Sequence, residues 1–245
     1  MTEVPSAEGS RRDQLAEGLR SVGARIDAAL AASGRDDRPT LVVVTKFFPA
    51  SDVDLLAGLG VRDVGENRDQ EASAKYAAVA HRADLTLHFI GQLQRNKAHS
   101  VVRYADVVQS VDRAPLVTAL DRAAQAEQRR LAVLVQVSLE DVEEGDGTAE
   151  ARGGVPWTRA QALADTVAAT EALDLRGVMA VAPLGAEPRA AFARLRRVAE
   201  AVRSAHPQAW WVSAGMSGDL EEAIAEGATH LRVGTAILGS RPSHR

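Results

Sequence analysis

Leu41-Val42-Val43-Val44-Thr45-Lys46, followed by Phe47-Phe48-Pro49, decides how the rest of the chain is read. An apolar, β-branched run bounded by a chain-turning Pro has the pattern of a buried strand. No Gly-x-Gly-x-x-Gly follows it, which disfavours a doubly wound open sheet of the dinucleotide-binding kind. Seven further apolar runs come after: Arg62–Gly65, Leu85–Gly91, Asp106–Val111, Leu131–Ser138, Leu175–Val181, Trp210–Gly215 and His230–Ile237. Helical patterns separate them, near Asp52–Leu59, Asp69–Ala80, Lys97–Tyr104, Ala114–Gln128, Thr158–Thr170, Arg189–Ser204 and Asp219–Ala225. Strands alternating with helices imply parallel crossovers. In a chain of 245 residues this predicts an α/β protein, a single TIM (β/α)8 barrel. An extra N-terminal helix is predicted over Arg11–Ala32, where Leu15, Leu19, Val22, Ile26 and Leu30 recur at steps of three and four. Residues 1–10 are expected to be disordered and 11–241 to form one domain, with no linker to split it.

Composition narrows the function. Net charge is −4, which gives no basic field for nucleic acid and no polybasic membrane patch. Cysteine is absent, so disulfides, thiol catalysis and thiolate metal sites are excluded. The polar N-terminus lacks the apolar core of a signal peptide, and no apolar stretch approaches a membrane span. A cytoplasmic, soluble protein is expected. Aromatic residues make up only 4% of the chain, so the core must rest on Val, Leu, Ile and Ala. The acid- and glycine-rich segment Glu140–Gly154 has no periodicity; it reads as a solvated loop, and in a barrel it would lie over the active face.

Active sites of such barrels sit where the strands end. The first run ends in Lys46, one of only three lysines among 29 basic residues. A lysine kept in an arginine-biased chain suggests an amine that must lose its proton, as a Schiff-base amine does and a guanidinium cannot. The second run ends in Gly65-Glu66-Asn67, which also reads as an ordinary turn and helix cap. The third holds His88, read as a satisfied core histidine and not as a metal ligand. The sixth ends in Met179-Ala180-Val181. The last two end in Ser213-Ala214-Gly215-Met216-Ser217 and Arg232-Val233-Gly234-Thr235. Hydroxyls and glycine-flanked amides after the seventh and eighth strands suit a phosphate. An amine on the first strand and a phosphate cup on the last two are the layout required by pyridoxal 5'-phosphate.

These residues resemble the YggS/PROSC family of pyridoxal phosphate-binding homeostasis proteins. The likeness spans about Leu15 to Arg241. It is carried by Val44-Thr45-Lys46 with Pro49, Gly65-Glu66-Asn67 with Gln70-Glu71, and His88-Phe89-Ile90-Gly91 with Leu93-Gln94 and Asn96-Lys97. Arg176-Gly177-Val178-Met179-Ala180, Ser213 with Gly215-Met216-Ser217, and Arg232-Val233-Gly234-Thr235-Ala236-Ile237 with Gly239 complete it. The resemblance implies the barrel of the alanine racemase N-terminal domain, with pyridoxal phosphate as an internal aldimine on Lys46. It further implies that Ser213, Gly234 and Thr235 hold the phosphate, that Asn67 and Met179 lie by the ring, and that Arg232 faces the pyridine nitrogen. Gly215, Met216 and Ser217 belong to the same cup. Two departures from the family, Arg68 after Gly-Glu-Asn and Arg152-Gly153-Gly154 in the fifth loop, touch the entrance and lid.

Arg232 at the ring nitrogen would disfavour its protonation, because a fixed cation penalises a second one. Racemases of this fold tolerate such an arginine but draw a second base from an added domain and a partner subunit. This chain reaches Arg245 without such a domain, and Tyr76 and Tyr104 are expected in helices away from the strand ends. The expectation is a monomeric carrier or buffer of pyridoxal phosphate, not an enzyme with robust turnover. Its partners would be the cofactor and apo-enzymes that use it, with neither nucleic acid nor membrane. A weak racemase-like enzyme is the alternative, and an aldolase acting on a phosphorylated sugar is a more distant one.

Overall fold

The computed structural model describes residues 7–140 and 153–240. Most of the Glu140–Gly154 loop, and residues 1–6 of the N-terminal segment, therefore lie outside the described residues. Strands β1 (Thr40–Val44), β2 (Asp63–Glu66), β3 (Thr86–Phe89), β4 (Val107–Val111), β5 (Leu131–Ser138), β7 (Leu173–Met179), β8 (Trp211–Ser213) and β9 (His230–Val233) form the barrel. Their order is β4-β3-β2-β1-β9-β8-β7-β5, all pairings are parallel, and β4 pairs with β5 to close the ring. A two-residue strand, β6 (Val155–Pro156), lies on the outer edge of β5 and has no counterpart in the sequence reading, being too short for any periodicity to mark it.

The predicted helices are present as α2 (Ala50–Gly58), α3 (Asp69–Ala78), α4 (Ala98–Tyr104), α5 (Ala114–Ala126), α6 (Ala160–Ala168), α7 (Pro188–Ala205) and α8 (Leu220–Ala225). The eighth run, expected over His230–Ile237, is a strand only in its first half. Its strand stops at Val233, and Thr235–Leu238 form a short helix, α9, after Gly234. The apolar residues continue through the turn because Ile237 and Leu238 pack into the core as helix residues.

Strand alternation sorts side chains into two layers. Val43, Val64, Leu87, Val108, Val133, Leu175, Leu231 and Val233 belong to the large core shared with the helices. Val107, Leu134 and Met179 form a small separate cluster inside the barrel, with Ala132 and Trp211 packed against it. Val42, level with Asp63 and Arg232 on the neighbouring strands, is also buried there, and polar side chains such as Gln109, Ser213 and Arg232 share this interior.

The N-terminal helix α1 (Ala7–Ser33) begins four residues earlier than expected and lies against α2, α8 and α9. Leu15, Val22 and Ile26 are fully buried there, each stabilising the docking by about 1.5–3 kcal/mol. Arg25 forms a two-pronged ion pair with Glu221 on α8, at 2.7 and 2.8 Å, and donates to the Ser217 carbonyl at 2.9 Å. Gly18 lets α1 approach α9 directly: a Cβ there would lie 2.6 Å from the carbonyl oxygen of Ile237.

Gly18→Val is therefore expected to destabilise the protein by about 1–3 kcal/mol, the usual cost of overpacking, read as a lower urea midpoint with unchanged slope. It should also weaken any ligand held by α9. A midpoint equal to wild type would contradict the close approach of the two helices.

Candidate functional site

A cleft of about 390 Å³ opens at the C-terminal ends of β1, β8 and β9, walled by Val44, Lys46, Phe47, Met216, Ser217, Gly218, Gly234 and Thr235 among others. Lys46 lies one residue beyond Thr45 at the end of β1, half-buried. Its Nζ sits 5.8 Å from the centre of the Phe47 ring, and the Arg68 guanidinium stacks on the same ring at 5.1 Å. Phe47 has φ 71°, a left-handed conformation unusual for a bulky residue, and its N–H donates to Glu71. Gly215, at φ 87°, begins the opposite wall; a Cβ there would lie 2.7 Å from that of Ala223. Met216 N–H is capped by Asp219 at 2.6 Å. A Cβ on Gly234 would stand 3.0 Å from the Val44 carbonyl oxygen, so a side chain there would crowd the end of β1. The first amides of α9 have no intrahelical acceptor.

Asn67 and Gly91 are tightly fitted: a Cβ on Gly91 would fall 2.1 Å from the Asn67 carbonyl oxygen. The Asn67 side-chain Oδ1 is buried without a hydrogen-bond partner, an unmet acceptor of the kind a ligand satisfies. Asn67 lines a neighbouring cavity with Arg68, Gln92 and Lys97, not the cleft at Lys46; within that cleft, an amine and a hydroxyl- and amide-lined cup fit an anionic aldehyde.

Three expected site residues lie deeper. Arg232 is nearly fully buried, donating from Nη1 to Ser213 Oγ at 2.7 Å and from Nη2 to the Ala180 carbonyl at 2.8 Å. Burial lowers its pKa to about 10. Met179 belongs to the interior cluster, beside Ser213 in register. Ser213 departs from the sequence reading. It was grouped with the phosphate cup, yet its hydroxyl is fully buried, accepting from Arg232 and donating to Gln109 Oε1 at 2.7 Å. Ser217 lines the cleft with Gly234 and Thr235 instead. The alternation of β8 explains this: Ser213 shares the inward face with Trp211. His88 is a satisfied core histidine as read, bonded at both nitrogens, and no cluster suited to a metal occurs among the described residues.

A second buried network, beneath Lys46, was not anticipated. Lys75 Nζ donates to Glu66 Oε1 at 2.7 Å, to the Thr45 carbonyl at 2.9 Å and to Glu71 at 3.3 Å. Thr45 Oγ1 donates to Glu66 at 2.7 Å and lies 3.2 Å from the Tyr76 hydroxyl. Tyr76 was expected away from the strand ends; its hydroxyl in fact lies directly below one. Burial raises the pKa of Glu66, with Lys75 opposing, and burial next to Glu66 raises that of Tyr76. The available signal was Lys75 four residues after Glu71, in a chain nearly free of lysine.

Residues 31–242 match the alanine racemase N-terminal domain family. The pyridoxal phosphate homeostasis protein of Mycobacterium tuberculosis is 45% identical over 256 residues, covering 96% of either chain. Among solved structures, PipY of Synechococcus elongatus PCC7942 with pyridoxal phosphate bound is 33% identical and superimposes with a TM-score of 0.77, over 92% of this chain and 100% of that one. A Bifidobacterium adolescentis protein described as unknown reaches 0.86 at 30% identity, over 96% of this chain and 98% of its own. The chain belongs to the alanine racemase N-terminal domain family and, within it, to the family of pyridoxal phosphate homeostasis proteins.

Lys75→Met leaves Glu66 buried without its cation, which is expected to destabilise the fold by about 3–5 kcal/mol. With Lys75 gone, the folded-state pKa of Glu66 rises further above its unfolded value. A carboxyl that holds its proton more tightly when folded loses stability as pH rises through that pKa. Urea titrations should therefore show the variant penalised more at pH 8 than at pH 5. An equal penalty at both would mean that Glu66 is not held ionised by Lys75.

Proposed function

We propose that this protein binds pyridoxal 5'-phosphate through Lys46 and carries or buffers it, supporting vitamin B6 and amino-acid homeostasis without robust turnover. The observation that carries this reading is the cleft itself, which sets the Lys46 amine against Ser217, Gly234 and Thr235. The names of its relatives and the cofactor in PipY agree. When bound, the cofactor supplies an aldehyde and a conjugated ring able to draw electrons. Lys46 would hold the aldehyde carbon. Ser217, Thr235 and the amides beyond Gly234 would hold the phosphate, on the loop shaped by Gly215 and Met216. Asn67 and Met179 would lie by the ring, and Arg232 toward its nitrogen.

Arg232 also argues for weak turnover. Carbanion chemistry benefits from a protonated ring nitrogen, and a neighbouring guanidinium opposes that protonation. Racemisation further needs a base on the second ring face. The tyrosines are poor candidates: Tyr76 is engaged with Thr45 and Tyr104 with Asp69, and burial raises the pKa of both.

Purified holo-protein should be yellow, and borohydride should trap the cofactor on the peptide containing Lys46. Hydrogen bonds to a charged group contribute about 1.5–3 kcal/mol each, so the phosphate should favour pyridoxal phosphate over pyridoxal by at least about a hundredfold. Gly234→Asp should abolish most of that preference by filling the cup and adding like charge. Trapping on Lys75 or Lys97, or equal affinity for the two ligands, would overturn the assignment.

A further inference from the structure

A chain of short hydrogen bonds crosses the barrel interior behind Arg232. It runs from Arg232 Nη1 to Ser213 Oγ (2.7 Å), on to Gln109 Oε1 (2.7 Å), from Gln109 Nε2 to His88 Nδ1 (2.8 Å), and from His88 Nε2 to Asp63 Oδ1 (2.9 Å). These residues come from five strands, β9, β8, β4, β3 and β2, and all but Asp63 are buried. With the Gln109 amide oxygen toward Ser213, as the structure has it, each group in the chain takes one role. Arginine only donates, so the Ser213 oxygen accepts from it and the hydroxyl proton goes to Gln109. The Gln109 amide then faces His88 with its N–H, so His88 Nδ1 must accept and the ring proton sits on Nε2. Asp63, at the N-terminal end of β2, accepts that proton. Reversing the Gln109 amide would require His88 to donate from both nitrogens.

We propose that His88 and Gln109 are positioning residues for Arg232: with Ser213 and Asp63 they form a one-directional hydrogen-bond chain that fixes the guanidinium against the cofactor ring. The inference rests on the assignment of Arg232 to the ring nitrogen. Among the described residues no carboxylate lies within ion-pair distance of this guanidinium, so neutral acceptors alone aim it. The Ala180 carbonyl is fixed by the backbone. The Ser213 hydroxyl is free to rotate unless its proton is claimed, and Gln109 claims it. Gln109 in turn is oriented by the Nδ1 lone pair of His88, and the His88 tautomer by Asp63. A carboxylate at one end of β2 thus determines which lone pair Arg232 meets near the end of β9. Two of the five guanidinium N–H donors are spent on this aim, leaving the others for a ligand.

Nitrogen-15 NMR of histidine-labelled protein tests the chain directly, with or without cofactor. His88 is expected as the neutral Nε2–H tautomer with a bare Nδ1; a proton on Nδ1 would overturn the proposal. Gln109→Leu and His88→Leu are expected each to shift the absorbance of bound pyridoxal phosphate and to weaken its binding by about fivefold, the effect of one hydrogen bond. The double variant should change no more than either single one. His88→Asn, which keeps an acceptor facing Gln109, should restore the wild-type spectrum. Folded Leu variants with unchanged spectrum and affinity would show the chain to be structural only, and so overturn it. Should the Leu variants not fold, the smaller change Gln109→Asn, which withdraws the amide from Ser213 and His88, is read by the same spectrum and affinity, and an unchanged result overturns the proposal. A wild-type protein that takes up no pyridoxal phosphate would refute the cofactor assignment, while the tautomer would still test the chain.

Discussion

Closing eight parallel strands into a ring sends every second side chain into a space that water does not freely enter. In this protein several of those side chains are polar or charged, and the rest of the structure follows from the need to satisfy them. An unmet buried donor or acceptor costs about 1–3 kcal/mol, and more when it is charged. Asp63, His88, Gln109, Ser213 and Arg232 meet that demand among themselves. Val107, Leu134 and Met179 pack together in the same interior. An interior assembled in this way is rigid, because moving one member strands the next. It holds the Arg232 guanidinium on neutral acceptors, with no carboxylate within ion-pair distance among the described residues.

The first strand end is held by a different device. Glu66, Lys75, Thr45 and Tyr76, with the half-buried Glu71, form a network at the residue before Lys46, and Phe47, the residue after it, takes a left-handed backbone. Strain of this kind persists only where surroundings over-determine it. Here the Glu71 carboxylate accepts the Phe47 N–H, while Lys46 and Arg68 lie over its ring. The direction of the Lys46 side chain thus depends on a charge network that never enters the cleft. The opposite wall depends on α1, which abuts α9 at Gly18 and grips the Ser217 carbonyl through Arg25.

The alternation of apolar runs with helical patterns sufficed for the barrel, because strand and helix periods differ and the runs are separated by turn residues. Boundaries were less legible. The run through Ile237 hid a turn at Gly234, since both strand and helix bury the same kinds of residue there. Lys46, Gly234 and Thr235 could be picked out as candidates because strand ends in this fold gather on one face, and all three line the cleft. The orientation of Ser213 was not legible, because composition shows a hydroxyl but not which way it points; only its shared parity with Trp211 marks it as inward. Tyr76 is expected in a helix away from the strand ends and Lys75 carries no expectation, since nothing local distinguishes a helix residue facing water from one facing a buried carboxylate on another element.

The central claim is that one cleft holds pyridoxal phosphate between the end of β1 and the turns after β8 and β9. A crystal structure of the cofactor-loaded protein tests it most directly. Continuous density is expected from Lys46 Nζ to the cofactor, with the phosphate against Ser217, Gly234 and Thr235. Arg232 should lie toward the ring nitrogen and still be bonded to Ser213. A phosphate elsewhere in the barrel, or a carboxylate in place of Arg232 at the ring nitrogen, would contradict it.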